Sequence, residues 1–273
     1  MTIKLIFSDI DGTLLNSSHR ISSGTRDAIR EVSDHNIPFI LVSARMPAGI
    51  LPIQEELGIR QPIVSYSGAL VLDTPDPEGP DQPLLNISMD RHVVQDIYQL
   101  VCKRFPSISF STYSLNQWLV VSPENQWIEQ EHRIARTPFK IFDFGRQPLS
   151  IYPPINKLLC MGPPEDIIAL ENALTKEDLP AAFYRSKPTY LEIAAQNASK
   201  SAALALLIKH YHVKKEETLA FGDNFNDVDM LKFASIGIAM GNAPDEVKKS
   251  ADRVTLSNDE DGIVQGLKDL HLI

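Results

Sequence analysis

Short, continuously apolar runs alternate with stretches of helical period at both ends of this chain. Leu5-Ile6-Phe7 comes first, followed by a segment opening near Ser22 or Ser23 that places Ala28, Ile29 and Val32 on one face. Phe39-Ile40-Leu41-Val42 follows, then a predicted helix entered at Pro47 and closed at Leu57-Gly58, then Ile63-Val64-Ser65. The far end repeats the pattern. A helix from Ser201 to His210 leads to Thr218-Leu219-Ala220-Phe221, a short helix from Asp227 to Phe233, Ile236-Gly237-Ile238-Ala239, and a last helix from Gly262 to Leu270. Apolar strands without alternation are buried on both faces, so the pattern predicts an α/β fold with a doubly wound, Rossmann-like parallel sheet.

The middle of the chain has another texture. Thr74-Pro75-Asp76-Pro77-Glu78-Gly79-Pro80 reads as a rigid polar linker. Beyond it, Ile108-Ser109-Phe110-Ser111-Thr112-Tyr113 and Trp118-Leu119-Val120-Val121 predict antiparallel strands. Helical stretches from Val93 to Phe105 and from Pro164 to Leu174 cover them. The expected organisation is a core made of residues 1–82 and 186–273, interrupted by an inserted α+β domain over residues 83–185.

Chemistry enters where the first strand stops. Ile3-Lys4-Leu5-Ile6-Phe7-Ser8-Asp9-Ile10-Asp11-Gly12-Thr13 drives an apolar strand into two carboxylates. Unpaired buried carboxylates cost several kcal/mol, on the order of the penalty for any buried charge, so they need a partner. Period-two geometry points Asp9 and Asp11 to one side of an extended chain, where a divalent cation would relieve their repulsion. In an open parallel sheet, ligands bind at the carboxyl ends of the strands. Ser43 follows the second strand. Asp223 follows Thr218–Phe221, inside the turn Gly222-Asp223-Asn224-Phe225-Asn226-Asp227, and Lys200 enters the preceding helix. Hard carboxylate oxygens, one hydroxyl, one ammonium and turn amides suit Mg²⁺ together with a phosphate group.

Composition narrows the partners. The chain has 273 residues, 43% hydrophobic, and a formal charge of −9 with no basic stripe, which argues against nucleic acid. Cys102 and Cys160 stand far apart without a CxxC, so neither a structural disulfide nor a zinc site is expected. No apolar run approaches the ~20 residues of a membrane span. The first apolar run is broken by Asp9, unlike a signal peptide, and the expected location is the cytoplasm. His210 and His212 flank Tyr211 at a helix end, where capping accounts for them.

Asp9-Ile10-Asp11-Gly12-Thr13, Ser43, Lys200 and Gly222–Asp227, in that order, resemble the four motifs of the haloacid dehalogenase superfamily phosphatases. The resemblance spans the chain and is nearest the Cof-type branch (type IIB cap). Met240-Gly241-Asn242-Ala243 and Ser257-Asn258-Asp259-Glu260-Asp261-Gly262 add to it. It implies hydrolysis of phosphate monoesters of small metabolites, sugar phosphates or similar, through a phosphoaspartate. Asp9 would be the nucleophile and Asp11 the general acid and base. Mg²⁺ would be held by Asp9, the backbone carbonyl of Asp11 and Asp223, with Asp227 orienting them. Ser43, Lys200, Asn226 and the N–H groups of Ile10 and Ala44 would bind the phosphoryl group, and the insert would choose the substrate. Two positions depart from the family pattern: Ala44 stands in Ser-Ala-Arg where glycine is usual, and Ser67 stands in Ser-Gly-Ala where asparagine is usual. A phosphomutase on the same core, or a non-enzymatic phosphoryl-accepting receiver or binding protein, are the competing readings.

Overall fold

The computed structural model describes residues 2–74 and 83–273, so the proline-rich stretch 75–80 lies outside the described residues. In chain order, β1 (Leu5–Asp9), α1 (Ser23–Asp34), β2 (Phe39–Val42), α2 (Leu51–Leu57), β3 (Ile63–Ser65), β4 (Leu70–Leu72) and β5 (Pro83–Asn86) come first. The middle supplies α3 (Arg91–Arg104), β6 (Ser109–Ser114), β7 (Gln117–Val120), α4 (Gln126–Ala135), β8 (Phe139–Ile141), β9 (Lys157–Met161), α5 (Pro164–Lys176), β10 (Ala181–Lys187) and β11 (Tyr190–Ala195). The chain ends with α6 (Lys200–His210), β12 (Thr218–Gly222), α7 (Val228–Phe233), β13 (Ile236–Ala239), β14 (Arg253–Val254) and a helix over Gly262–Asp269.

Two compact units result. One contains residues 1–45, 50–85 and 199–273; the other contains residues 46–49 and 86–198. The first is built on the eight-stranded sheet β14-β13-β12-β1-β2-β3-β4-β5. Its strands from β14 to β3 run parallel, and β4 turns back antiparallel on β3. Strands β1, β2 and β12 are buried along their whole length, as expected of a sheet covered on both faces. One face packs Leu5, Phe7, Ile40 and Val42 against Leu204 and Leu207 of α6 and Met230 and Leu231 of α7. The helix α1 packs against β2. It starts where Ser22 Oγ accepts the Thr25 N–H, and it buries Thr25, Ala28, Ile29 and Val32 at three- and four-residue spacing. The single helix expected from Pro47 is instead a 3₁₀ turn, Pro47–Gly49, followed by α2. Pro52 explains the break, because a proline without an N–H fits only in the first turn of a helix.

The second unit is built on the six-stranded sheet β10-β11-β9-β6-β7-β8, antiparallel except for the β7–β8 pair. Phe110, Leu158, Cys160, Leu191 and Ile193 form its core with the apolar stripes of α3 and α5. The insert ends later than its sequence texture predicts. The boundary expected at Arg185 falls inside β10, and β11 pairs with both β10 and β9, so the chain rejoins the core only near Ser199. Both cysteines are free thiols. Among the described residues, no helix is long and apolar enough to cross a membrane.

Candidate active site

The parallel sheet of the first unit brings the ends of β1, β2 and β12 side by side. Asp9 is the last residue of β1 and is buried. The loop after it folds back on itself: the Leu15 N–H donates to the Ile10 carbonyl at 2.9 Å. Gly12 makes this possible. Its φ is +86°, and a β-carbon there would lie 2.3 Å from Asp223 Oδ2. Thr13 Oγ1 donates to Asp223 Oδ1 at 2.6 Å, and Asn242 Nδ2 donates to the Gly12 carbonyl at 2.8 Å, tying the first loop to those after β12 and β13.

Lys200 opens α6, capped by Ser199. Its ammonium group is buried and donates to Asp9 Oδ1 at 2.6 Å and Asp227 Oδ1 at 2.5 Å. The other oxygen of Asp227 accepts the N–H groups of Asp223 and Asn224 at 3.0 and 2.9 Å, so Asp227 fixes the turn after β12. Carboxylate oxygens of Asp9, Asp223 and Asp227 come within 4.8 Å of one another. Three carboxylates thus face one ammonium. Burial, followed by the charge of Asp227 and Asp223, pushes the Asp9 carboxyl well above its usual range despite Lys200. Burial and Asp227 push Asp223 up to about 6, against the hydrogen bond from Thr13. Burial alone would discharge Lys200, but Asp227 and Asp9 outweigh it and hold the ammonium charged. A hard divalent cation matches this excess of oxygen charge.

The structure moves one predicted residue out of this cluster. The Asp11 carboxylate is half-exposed and takes a two-pronged pair from Arg45, Nε to Oδ2 at 2.8 Å and a terminal nitrogen to Oδ1 at 2.6 Å. Asp11 does not share the buried space of Asp9, as same-side geometry predicted. The reason is that β1 ends at Asp9, so a period of two no longer governs Asp11. Its carboxylate is absent from the acidic cluster of Asp9, Asp223 and Asp227.

Ser43 is buried after β2, with its Oγ accepting the Arg45 N–H at 3.2 Å. Ala44 is half-buried and outside the left-handed region, so the missing glycine costs this turn nothing. Ile10 is buried in the loop after β1, and Asn226 is half-buried on the 3₁₀ turn Phe225–Asp227. Nothing local in the sequence assigns a role to Arg45, Thr13 or Asn242. Thr13 and Arg45 sit inside motifs that were recognisable, but their partners, Asp223 and Asp11, are distant in sequence.

A family model described as haloacid dehalogenase-like hydrolase matches residues 6–267 of the chain. A Haemophilus influenzae protein called "Putative phosphatase" is 35% identical over 266 residues, covering 96% of each chain. The Bacillus subtilis 5-amino-6-(5-phospho-D-ribitylamino)uracil phosphatase YcsE is 30% identical over 268 residues, covering 97% of this chain and 95% of its own. Among solved structures, a haloacid dehalogenase-like hydrolase from Bacteroides thetaiotaomicron superposes with a TM-score of 0.85 at 30% identity, covering 98% of this chain and all of its own.

Proposed function

This chain belongs to the haloacid dehalogenase-like hydrolases, in their Cof-type branch, and from that premise we propose a Mg²⁺-dependent phosphatase acting on phosphate monoesters of small metabolites, sugar phosphates or similar. The observation that carries the proposal is the buried Lys200 ammonium between Asp9 and Asp227, beside Asp223. Asp9 attacks phosphorus, the bond to the ester oxygen breaks, and its electron pair leaves with an alkoxide that takes a proton from Asp11. Asp11 then accepts a proton from water as the water oxygen attacks the phosphoaspartate, which frees Asp9 and releases phosphate. Lys200, Ser43, Asn226 and the N–H groups of Ile10 and Ala44 hold the equatorial oxygens, where charge must be balanced throughout transfer.

Asp9, Asp223 and the carbonyl of Asp11 would hold Mg²⁺, which supplies positive charge to the transferring group when bound. Asp227 keeps Asp223 in place through its two backbone hydrogen bonds. The inserted unit is assigned the choice of leaving group, because the core unit already carries every group named above. A Bacillus relative named for a phosphoribityl substrate supports an ester on a small polyhydroxylated carrier.

The test is a panel of phosphate esters, with Mg²⁺ or a chelator, run in oxygen-labelled water. Expected are chelator-sensitive release of phosphate and one labelled oxygen in each phosphate. Transfer of phosphate to a second site on the substrate without label would make the enzyme a mutase. No turnover on any ester, with Mg²⁺ bound, would overturn the proposal.

A further inference from the structure

Tyr66, Ser67 and Gly68 have φ values of 52°, 52° and +100°. Two successive non-glycine residues in the left-handed region are held there against their preference, and such strain persists only where the surroundings impose it. Here both sides of the turn impose it. On one side the Ser67 N–H donates to the Ser43 carbonyl at 2.9 Å, and the Tyr66 N–H donates to the Arg45 carbonyl at 3.2 Å. On the other, Gly68 lies against the start of α6. A β-carbon on Gly68 would sit 2.0 Å from the Ser199 carbonyl oxygen and 2.9 Å from the Lys200 nitrogen.

We propose that the Tyr66–Gly68 turn is a positioning device that sets the spacing between Ser43 and Lys200 through backbone contact alone. This rests on the phosphate-binding roles given to those two residues above. The turn is hydrogen-bonded to the backbone of Ser43 and abuts the Ser199–Lys200 peptide, so moving it moves one phosphate ligand relative to the other. Ser67 holds φ 52° and ψ 35° against the preference of a serine, so the hydrogen bond of its N–H to the Ser43 carbonyl and the packing of Gly68 on Ser199 impose that backbone. Ser67 is a positioning residue together with Gly68.

The test uses the full chain and four variants: Gly68→Ala, Ser67→Val, Ser67→Asn and Ser67→Gly. Each is assayed for inhibition by inorganic phosphate, for Mg²⁺ half-saturation, for kcat and KM on p-nitrophenyl phosphate, and for its ranking of several esters. Gly68→Ala must displace backbone, so phosphate inhibition should weaken about 10- to 100-fold, the scale of a 1 Å misplacement. Its Mg²⁺ half-saturation should change less than its phosphate inhibition, because Asp223 is held by Thr13 and by Asp227 from another turn, although Lys200 also touches Asp9 and Asp227. Ser67→Val, a branched residue forced to positive φ, should follow in the same direction more weakly. Ser67→Asn and Ser67→Gly should keep wild-type phosphate inhibition and the same ester ranking.

A folded Gly68→Ala with unchanged phosphate inhibition overturns the proposal. If Gly68→Ala does not fold, equal inhibition constants for Ser67→Val and Ser67→Gly overturn it instead. A Ser67→Gly protein with an altered ester ranking also overturns it, by making the hydroxyl a substrate contact. Failure of the underlying phosphatase reading looks different. The wild-type protein itself would then show neither ester hydrolysis nor inhibition by phosphate.

Discussion

In the core unit the end of β1, the start of α6 and the turn after β12 bury Asp9, Lys200 and Asp227, whereas in the inserted unit the buried polar residues are uncharged: Ser109, Ser111, Thr112, Ser114, Thr137 and Asn156. Buried charge is costly, and replacing an ion pair by apolar residues of similar size is often neutral or stabilising. A domain selected for stability alone would therefore resemble the insert. The core accepts the cost of its charges at the edge where three strands end. The insert gains its cohesion from aromatic packing, with Phe110 edge-on to Phe144 at 5.4 Å and Tyr113 stacked on Trp118 at 6.0 Å. The core unit thus holds buried charge, and the insert is built by packing.

The largest effect is expected at Asp9. Asp9→Asn should reduce turnover to background while the protein stays folded, because the amide cannot attack phosphorus. Asp11→Asn should lower kcat by ~10²–10⁴, the usual worth of a positioned proton donor. Both are read from steady-state rates on any ester that the wild-type protein hydrolyses. An Asp9→Asn protein with near wild-type activity would falsify the assignment of the nucleophile.

Next comes stability in the core. Removing one partner of a buried ion pair typically costs about 3–5 kcal/mol, because the other charge is left uncompensated. Lys200→Met leaves two carboxylates, Asp9 and Asp227, without their ammonium. Chemical denaturation in the presence of a chelator should show a loss of that order at pH 8. Mg²⁺ should restore part of it, since a cation near the cluster replaces the missing charge. A loss of less than about 1 kcal/mol, the worth of an exposed pair, would mean the cluster is far better solvated than its burial indicates.

How much of this was legible in the sequence follows from the same contrast. The core strands are continuous apolar runs that end in charge, and a run such as Leu5–Phe7 leading into Asp9 has few other readings. Lys200, Asp223 and Asp227 are legible mainly through their motifs: taken singly, Lys200 reads as a solvated helix lysine and Asp223 to Asp227 as a loop and helix cap. The insert was harder to bound. Tyr190-Leu191-Glu192-Ile193 alternates like an antiparallel strand, yet it directly precedes the core helix α6, so texture alone placed the return too early. Arg45 and Asn242 were invisible as partners of Asp11 and Gly12, since nothing local announces a hydrogen bond across 34 or 230 residues. The left-handed Tyr66 and Ser67 carried no signal because neither is a residue type that favours positive φ.

The pH dependence of metal binding gives a smaller and more specific effect. Asp223 has a pKa raised from 3.8 to about 6 in the metal-free protein. In the unfolded chain it returns to its ordinary value, so between about pH 4 and pH 6 the folded protein binds the extra proton. Without metal, stability should fall as pH rises through that window, and the cost is complete above it. Metal must displace the proton, so apparent Mg²⁺ affinity should fall below pH 6 by roughly tenfold per unit for one proton displaced. Melting temperatures with Mg²⁺ and with chelator should accordingly differ most above pH 6 and converge towards pH 5. A gap that does not change between pH 5 and pH 8 would rule out Asp223 as the titrating ligand.

The smallest effect is expected in the insert, at the ion pair that most resembles those of the core. Lys157 Nζ lies 3.1 Å from Glu192 Oε2 and 4.8 Å from the centre of the Tyr113 ring. Both side chains keep some exposure, 13% and 19%, so each charge retains water and neither is stranded when the other goes. Lys157→Met preserves the apolar stem against Tyr113 and removes only the ammonium. The expected loss is about 1 kcal/mol, from a partly solvated pair and one cation–π contact. For a chain of this size that is a shift of only about 2–4 °C in melting temperature. Mg²⁺ should leave the shift unchanged, because among the described residues the acidic cluster that could hold a metal is Asp9, Asp223 and Asp227 and does not include Glu192. If Lys157→Met instead lost as much as Lys200→Met, the insert would also be holding charge at a cost. Buried charge would then no longer distinguish the core unit from the insert.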